Sequence, residues 1–398
     1  MSDPARSLRS VDPTRLERFI ADMPKTVLHV HIEGTLEPEL AFAMAQRNGI
    51  EQGSKAFPYA KLEDLRAAYD FDDLGQFLDV YYAVAGAILN ERDFHDLAEA
   101  YAQRLIAQHV RVAEIFFDPQ THTSRGIALS TVVRGLWSGL KPAIDAGIHV
   151  QLIACLLRDA PVGEQSDAQV DRNWSGASLS EATAWATLGQ VLDHNRHAPA
   201  EQRIVGLGLD SYEAPYPPEL FTAVFAHARG EGLLPTAHAG EEGPPAYIWT
   251  SLRELKVCRI DHGVRSSEDP ELLKLLATPQ DGPEVLAAYG QPHRIPLTVC
   301  PRSNLELKVF PDPTKSNLFE LQDHGVLVCI NSDDPAYFGG YANANYLAVI
   351  EWLDPTLEQL HQLARGGIDS AWLPPATKEP LLDELAAYFA TAPEALSL

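Results

Sequence analysis

The sequence of 398 residues contains only four cysteines, and none of them forms a Cys-x-x-Cys pair. All four lie in apolar, strand-like runs, so buried thiols are expected rather than disulfides. Basic residues are also scarce, because 31 Lys and Arg stand against 55 Asp and Glu and leave a formal net charge of −24. An acidic surface disfavours nucleic acid and anionic membranes as partners. A neutral small molecule is the ligand that this charge favours.

Two further absences concern location. The first 17 residues are polar and mixed in charge, and they lack the apolar segment of a secretory signal. No apolar run approaches the ~20 residues that cross a bilayer as a helix. We therefore expect a cytoplasmic protein, and the sequence leaves open whether it forms a homo-oligomer.

What the chain does contain is a series of eight short apolar runs. Several are continuous in Val, Ile and Leu, which is typical of parallel strands covered on both faces by helices. The segments between them have apolar residues at helical spacing. This alternation predicts an α/β protein with one domain over residues 1–398, a (β/α)8 TIM-type barrel of the metal-dependent hydrolase kind. The runs are 26–34, 110–117, 148–156, 204–211, 234–241, 259–264, 296–304 and 326–333.

The connections between the runs give further expectations. Helices are predicted at 91–109, 183–194 and 270–276, and two long connections, 158–202 and 278–294, are interpreted as surface excursions. An aromatic-rich helical insertion around 55–85 is interpreted either as a lid over the barrel mouth or as a packing element. An open doubly wound sheet is the alternative fold, but no Gly-x-Gly-x-x-Gly opens a helix after the first run.

Five of the eight runs end in polar, reactive residues, and strand ends of this kind share the catalytic face of a barrel. His29 and His31 lie two residues apart in the first run, so their side chains point the same way. With His238 and one aspartate of the Asp333-Asp334 pair, they supply three nitrogens and one carboxylate. That set suits Zn²⁺ with a position left for water, whose pKa the metal lowers.

Acid–base groups follow the same strand ends. Glu241 could protonate a substrate nitrogen, and His262 could orient the attacking water. Each residue also has a purely structural explanation: the histidines as core or turn residues, Glu241 as a charge at a helix N-terminus, and Asp333 as an N-cap before Pro335. Because all of them meet at one predicted mouth, the set favours a metal-dependent hydrolase.

Together these motifs resemble the adenosine/adenine deaminase family of the amidohydrolase superfamily, from residues 23–36 to 332–335. The resemblance implies one Zn²⁺ per chain, bound by His29, His31, His238 and Asp333. Asp333 would also take a proton from the attacking water.

The same resemblance assigns the substrate contacts. Glu241 would protonate purine N1, and His262 would position the attacking water. Asp334 would accept a hydrogen bond from N7 or its neighbour, and the backbone at Ser211 would meet N3.

The runs 116–123, 240–248, 259–265 and 334–341 resemble the adenine deaminase branch of this family. Nucleoside deaminases often carry an aspartate to reach the ribose at the position of Glu33, next to Gly34. A longer carboxylate there would fill the space that a ribose needs. The resemblance thus implies zinc-dependent deamination of adenine, a small-molecule purine base, to hypoxanthine and ammonia in purine salvage.

Several alternatives stay open at this point. Arg302 stands where the branch usually has Leu, and it is either a surface residue paired with Glu306 or part of a pocket for N6-substituted adenines. Adenosine is a second alternative substrate, and a non-catalytic purine-binding barrel is the alternative from another class. A binuclear amidohydrolase would want a lysine at the end of run 204–211, which has none. The other zinc deaminase architecture needs Pro-Cys-x-x-Cys, which is also absent.

Overall fold

The computed structural model describes residues 7–71, 73–159, 177–279 and 294–397. Eight strands form one sheet in chain order, and every neighbouring pair is parallel. The strands are β1 Lys25–Val27, β2 Val110–Phe117, β3 His149–Leu157, β4 Ile204–Asp210, β5 Leu234–Ala239, β6 Arg259–His262, β7 Leu297–Val299 and β8 Val328–Ile330.

The sheet closes on itself just beyond β1 and β8. A parallel bridge pairs Val30 with Asp333. The backbone N–H of His31 donates to Asp333 O at 3.1 Å, and the N–H of Asp333 donates to His29 O at 3.1 Å. The side chain of Asn331 adds a link, because its Oδ1 accepts the backbone N–H of Leu28 at 2.7 Å. The predicted (β/α)8 barrel is therefore confirmed.

Helices connect the strands and cover the barrel. Within the described residues they are α1 Pro13–Asp22, α2 Pro38–Arg47, α3 Leu62–Ala68, α4 Leu74–Ala85, α5 Glu91–Ala107, α6 Pro119–Thr123, α7 Leu129–Asp145, α8 Ala177–His197, α9 Thr222–Gly230, α10 Pro245–Thr250, α11 Pro270–Ala277, α12 Pro301–Glu306, α13 Leu318–Asp323, α14 Ala342–Leu353, α15 Leu357–Ser370, α16 Pro375–Ala390 and α17 Ala392–Ala395.

Most predicted elements occur with shifted ends. The helices expected at 91–109, 183–194 and 270–276 correspond to α5, to part of α8 and to α11. The first run is shorter than expected, since the continuous strand ends at Val27 and isolated bridges follow at Val30 and His31. The seventh run, 296–304, was predicted as one strand, and this prediction was wrong beyond Val299. Pro301 occupies the first turn of α12, where its fixed φ suits a helix.

The remaining expectations concern loops, thiols and membranes. Both long connections fall partly outside the described residues, 158–202 at 160–176 and 278–294 at 280–293. The single-domain assignment and the lid role of 55–85 stay predictions. All four cysteines are free and buried, as expected. Among the helices that the structure describes, none combines the length and apolar character needed to span a bilayer.

Candidate active site

The candidate residues meet at the carboxyl-terminal mouth of the barrel. His29 and His31 lie on the extended segment after β1, His238 lies in β5, His262 ends β6, and Asp333 follows β8. All five are buried. Asp333 and His262 adopt left-handed backbone conformations, with φ of 58° and 61°. Such φ values are strained for residues with a Cβ, and they cluster at functional sites where the fold enforces them.

Three histidines turn the same ring nitrogen towards a common point. His238 Nδ1 lies 3.1 Å from Leu209 O, and a carbonyl can only accept, so Nδ1 holds the hydrogen. His29 Nδ1 lies 3.0 Å from Thr298 Oγ1, whose own hydroxyl donates to Asp261 at 2.9 Å. His31 Nδ1 faces the Asp210 carboxylate at 3.5 Å. When the rings are neutral, as metal binding requires, each Nε2 is therefore left with a lone pair.

These lone pairs converge on Asp333. His29 Nε2 lies 3.1 Å and His31 Nε2 lies 3.6 Å from Asp333 Oδ1. His31 Nε2 and His238 Nε2 are 3.2 Å apart, although neither carries a hydrogen to share. Acceptor atoms packed this closely need a cation between them. Three imidazoles oriented by acceptors at Nδ1, together with one carboxylate, fit a zinc-type ion.

His262 also lies near this cluster, and the distances alone do not separate it from the ligands. The ligand atoms of His29, His238, His262 and Asp333 all lie within 4.8 Å of one another, and so do those of His31, Asp333 and Asp334. The tautomer separates them. The Asn304 amide donates to His262 Nδ1 at 3.2 Å, so the ring hydrogen is on Nε2. An N–H cannot ligate a metal, but it can donate a hydrogen bond.

The pKa values of His238 and His262 favour the neutral form, whereas against the lowering effect of burial the carboxylates of Asp334, Asp118 and Asp210 raise the pKa of His31 well above its usual value. Burial and the neighbouring rings of His29, His262 and His31 lower the pKa of His238 well below its usual value. Burial lowers the pKa of His262 to about 3, with further lowering from His29 and His31. Neutral His238 can ligate a cation, and neutral His262 keeps its Nε2–H as a donor.

Glu241 lies on the other side of His262. Its Oε2 is 3.4 Å from His262 Nε2, and its Oε1 accepts from the Asn304 amide at 3.0 Å. Burial raises the pKa of Glu241 well above its usual value, and the negative charges of Asp333, Glu213 and Glu242 raise it further. The group is therefore suited to carrying a proton at neutral pH.

The loop that holds Glu241 wraps around the carboxylate of Glu213. The backbone N–H groups of Gly240, Glu241, Glu242 and Gly243 donate to Glu213 at 2.6, 3.1, 3.0 and 3.0 Å, respectively. Glu213 is itself buried. Four donors on one carboxylate fix the loop after β5, so the position of Glu241 is set by a residue that follows β4.

Asp334 lies next to the cluster, against Gly34. A Cβ at position 34 would collide with the Asp334 carboxylate, so glycine is required there. Within the described structure, Asp334 Oδ1 is buried without a hydrogen-bond partner. Because a buried carboxylate oxygen without a partner is costly, it marks a place where a ligand can bind.

A cavity opens beside these groups and contains about 430 Å³ of unfilled space, part of it open to solvent. One wall is aromatic and apolar and comes from α4, where Leu74, Phe77, Leu78, Tyr81 and Tyr82 lie. The polar wall consists of His31, Asp118, Asp210, Ser211, His238, Glu241, His262, Asp333 and Asp334.

Two of the predicted substrate contacts have other neighbours. Ser211 lines the cavity with φ of 69°, and its hydroxyl donates to Asp159 at 2.8 Å. Glu33 is not among the cavity-lining residues of the described structure. Its Oε1 instead accepts the backbone N–H of Asp118 at 3.1 Å and lies 2.8 Å from His122 Nε2. Glu33 thus lies one layer behind the cavity.

Arg302 contacts the cavity only through a neighbour. Its Nε donates to Phe338 O at 2.9 Å, and its guanidinium packs against Gly339 and Gly340. Phe338 lines the cavity. In the described part of the chain Arg302 makes no ion pair with Glu306, which was one of its two interpretations, and it does not line the cavity.

The residues that the sequence did not single out are mostly the partners of the predicted ones. Asn304, Thr298 and Asp210 determine the histidine tautomers, and Glu213 fixes the loop of Glu241. Asp210 and Asn304 lie in the last two positions of the apolar runs 204–211 and 296–304, so their position at a strand end was the available signal. Glu213 had no such signal, because its role depends on backbone donors 27 to 30 residues away.

A (β/α)8 barrel with this cluster at its mouth defines the class of metal-dependent barrel hydrolases. Comparison with known proteins narrows the class. A family model described as adenosine deaminase matches residues 24–173 and 186–388. The chain therefore belongs to the adenosine deaminase family, and the resemblance noted from its motifs is confirmed.

Individual relatives cover nearly the whole chain. The adenine deaminase of Paraburkholderia phytofirmans is 45% identical over 383 residues, which are 96% of this chain and 97% of the relative. The crystal structure of adenine deaminase from Arthrobacter aurescens superposes with a TM-score of 0.78 at 40% identity, covering 93% of this chain and 99% of that one. An amidohydrolase from Burkholderia ambifaria, solved with bound Zn, shares the fold with a TM-score of 0.79 at 24% identity over 98% of this chain and 97% of its own.

Proposed function

We propose that this protein deaminates adenine to hypoxanthine and ammonia with one Zn²⁺ bound per chain. The observation that carries the proposal is the set of three Nε2 lone pairs and the Asp333 carboxylate, which converge beside the Glu241–Asn304–His262 network. The relatives named adenine deaminase, at 40% and 45% identity, support the choice of base. A place in purine salvage and a cytoplasmic location remain predictions that accompany this function.

His29, His31, His238 and Asp333 would hold the metal. When bound there, the ion would lower the pKa of a water molecule towards neutrality and make it a nucleophile. The histidines need no rearrangement for this, since their Nδ1 partners already fix the rings.

The chain's own groups then move the protons. Glu241 donates its proton to purine N1, and His262 Nε2–H holds the attacking oxygen as it bonds to C6. Asp333 accepts one proton from the water and passes it to the 6-amino group. The C6–N bond breaks, ammonia leaves, and the second water proton restores the Glu241 carboxyl. Asp334 and the backbone at Ser211 would hold the N7 and N3 edges of the ring.

The electrostatic argument for Glu241 concerns the change at C6. As C6 becomes tetrahedral, electron density moves into the ring and onto N1. A proton delivered there neutralises the developing charge, and a preorganised donor in a buried site is a large contribution to rate. The amide of Asn304 donates to both Glu241 and His262. It therefore fixes the distance between the acid and the group that orients the water.

Conversion of adenine and N6-methyladenine to hypoxanthine, and of adenosine to inosine, measured side by side on zinc-loaded protein, tests the proposal. Adenine and adenosine release ammonia in this reaction, whereas N6-methyladenine releases methylamine. We expect the highest kcat/KM on adenine. Equal or greater turnover of adenosine would contradict the free-base assignment, and activity confined to N6-methyladenine would favour the modified-base alternative. If the loaded protein binds adenine without releasing ammonia, it is the non-catalytic barrel.

A further inference from the structure

Asp118 occupies the cavity on the side of His31 that faces away from the metal cluster. His31 Nε2 points to Asp333 and His238, whereas His31 Nδ1 points to Asp210 and Asp118. Asp118 lies immediately after β2, lines the cavity and is 2% exposed. A ligand with its reacting atom at the cluster would therefore extend its far end towards Asp118.

One carboxylate oxygen of Asp118 is fixed and the other has no partner. Tyr81 OH donates to Oδ2 at 2.9 Å. Oδ1 is buried and, within the described residues, has no hydrogen-bond partner. The single N–H of His31 Nδ1 lies closer to Asp210 Oδ2, at 3.5 Å, than to Asp118 Oδ1, at 3.9 Å. Asp118 Oδ1 is thus an acceptor held in place without a donor.

The segment around Asp118 is held from behind by a chain of hydrogen bonds. Arg125 donates to His122 Nδ1 at 2.9 Å, so His122 has its hydrogen on Nε2 and donates to Glu33 Oε1 at 2.8 Å. The same Glu33 oxygen accepts the backbone N–H of Asp118 at 3.1 Å. Glu33 therefore fixes the backbone from which the Asp118 carboxylate projects.

We propose that Asp118 selects free purine bases by accepting the N–H of the imidazole ring, and that Glu33 is a positioning residue for Asp118. This inference rests on the proposed deamination of adenine. A free base has an N–H at N9, but a nucleoside has a glycosidic bond there, so it offers no donor and places a sugar against the carboxylate. Glu33 discriminates through Asp118, not by filling the sugar space itself.

The probe for this contact is 9-methyladenine, which keeps the reacting half of the ring and replaces the N–H by a methyl group. A site built to bind an N–H rejects the analogue without it by about 10⁴-fold in kcat/KM. In D118S and D118N the ratio of adenine to 9-methyladenine should fall by at least 10- to 100-fold, about the value of a hydrogen bond to a charged group. E33Q should lower the ratio in the same direction but less.

The matched control is D210N, which changes the other acid beside His31. It should alter kcat for both substrates and leave their ratio unchanged. The proposal is overturned if wild-type protein turns over both substrates equally, or if the ratio follows D210N or E33Q but not the Asp118 variants. The wild-type ratio tests the proposal even if the Asp118 variants do not fold. If wild-type protein does not turn over adenine at all, the proposed function itself is contradicted.

Discussion

Two groups of buried charges lie inside this barrel, and their partners differ. In the interior, Arg259 of β6 donates to Glu114 of β2, and the second oxygen of Glu114 accepts the backbone N–H of Trp372. The Arg259 guanidinium also stacks 4.3 Å from the centre of the Trp372 ring. This inner ion pair balances one charge with the opposite charge and covers it with an aromatic ring.

The mouth contains carboxylates in excess. Asp118, Asp210 and Asp334 each have a buried oxygen without a partner in the described structure. The buried cation nearby, Arg158, donates to the carbonyls of Tyr216 and His238 rather than to those carboxylates. Burying charges without partners costs several kcal/mol each, so the mouth is arranged for a cation, protons and a ligand that the chain itself does not supply. The inner pair stabilises the fold, whereas the mouth is built to bind.

Removing the metal should have the largest effect of the changes considered, because it removes the compensating positive charge from the mouth and leaves the inner ion pair unchanged. We expect ammonia release to fall by about 10³-fold or more, since the nucleophile depends on the ion. The melting temperature should also fall, because an ion present at ~1,000 times its dissociation constant stabilises the fold by about 4 kcal/mol.

Dialysis against a chelator, followed by metal analysis, ammonia assay and calorimetry, measures both effects. One equivalent of zinc per chain should restore activity and melting temperature together. Full activity in protein shown to be free of metal would contradict the assignment of the four ligands.

The substitution E241Q removes one proton from the mouth without changing its shape. The amide cannot deliver a proton to N1, so we expect kcat to fall by about 10²- to 10⁴-fold, the usual contribution of a general acid. Glu242 is the matched control: it is the next residue, its N–H also donates to Glu213, and burial raises its pKa to about 7.

E242Q should change kcat by less than about 3-fold, because Glu242 does not line the cavity in the described structure. Steady-state kinetics on adenine, with zinc content checked for each variant, separates the two. Comparable losses in both variants would mean that the loop, not the acid, was perturbed.

The fold could be predicted from the sequence because buried parallel strands leave long apolar runs. β2 has the predicted bounds, β3 is shifted by one residue at both ends, and β4 ends one residue earlier than predicted. The errors occur where the chain passes from strand to site. After Val27 the apolar residues continue although the regular strand has ended, and after Val299 the chain enters α12, which contains Asn304. Periodicity reports neither change.

The metal ligands could be proposed from strand ends, but their chemical state could not. Whether His262 ligates or donates depends on Asn304, which is 42 residues away. The case of Glu33 is similar, since the sequence predicts that it fills the space of a sugar, whereas in the structure it lies behind Asp118, which lines the cavity. Such roles depend on contacts between different strands, whose distances no local pattern contains.

A substitution in the inner ion pair should have the smallest effect on activity, and it therefore tests whether this pair and the mouth have different roles. E114Q removes one of the two carboxylates beside Arg259 and leaves Asp261, 3.4 Å from the Nε of Arg259. We therefore expect a loss of about 1.5–3 kcal/mol in the free energy of unfolding, the value of a hydrogen bond to a charged group. The kcat/KM on adenine should stay within about 3-fold, because Glu114 faces Arg259 and Trp372 and not the cavity. Urea unfolding and steady-state kinetics measure the two effects. A large loss of activity with unchanged stability would show that Arg259 acts on the mouth through Asp261, which lies 3.4 Å from its Nε and binds Thr298 beside His29.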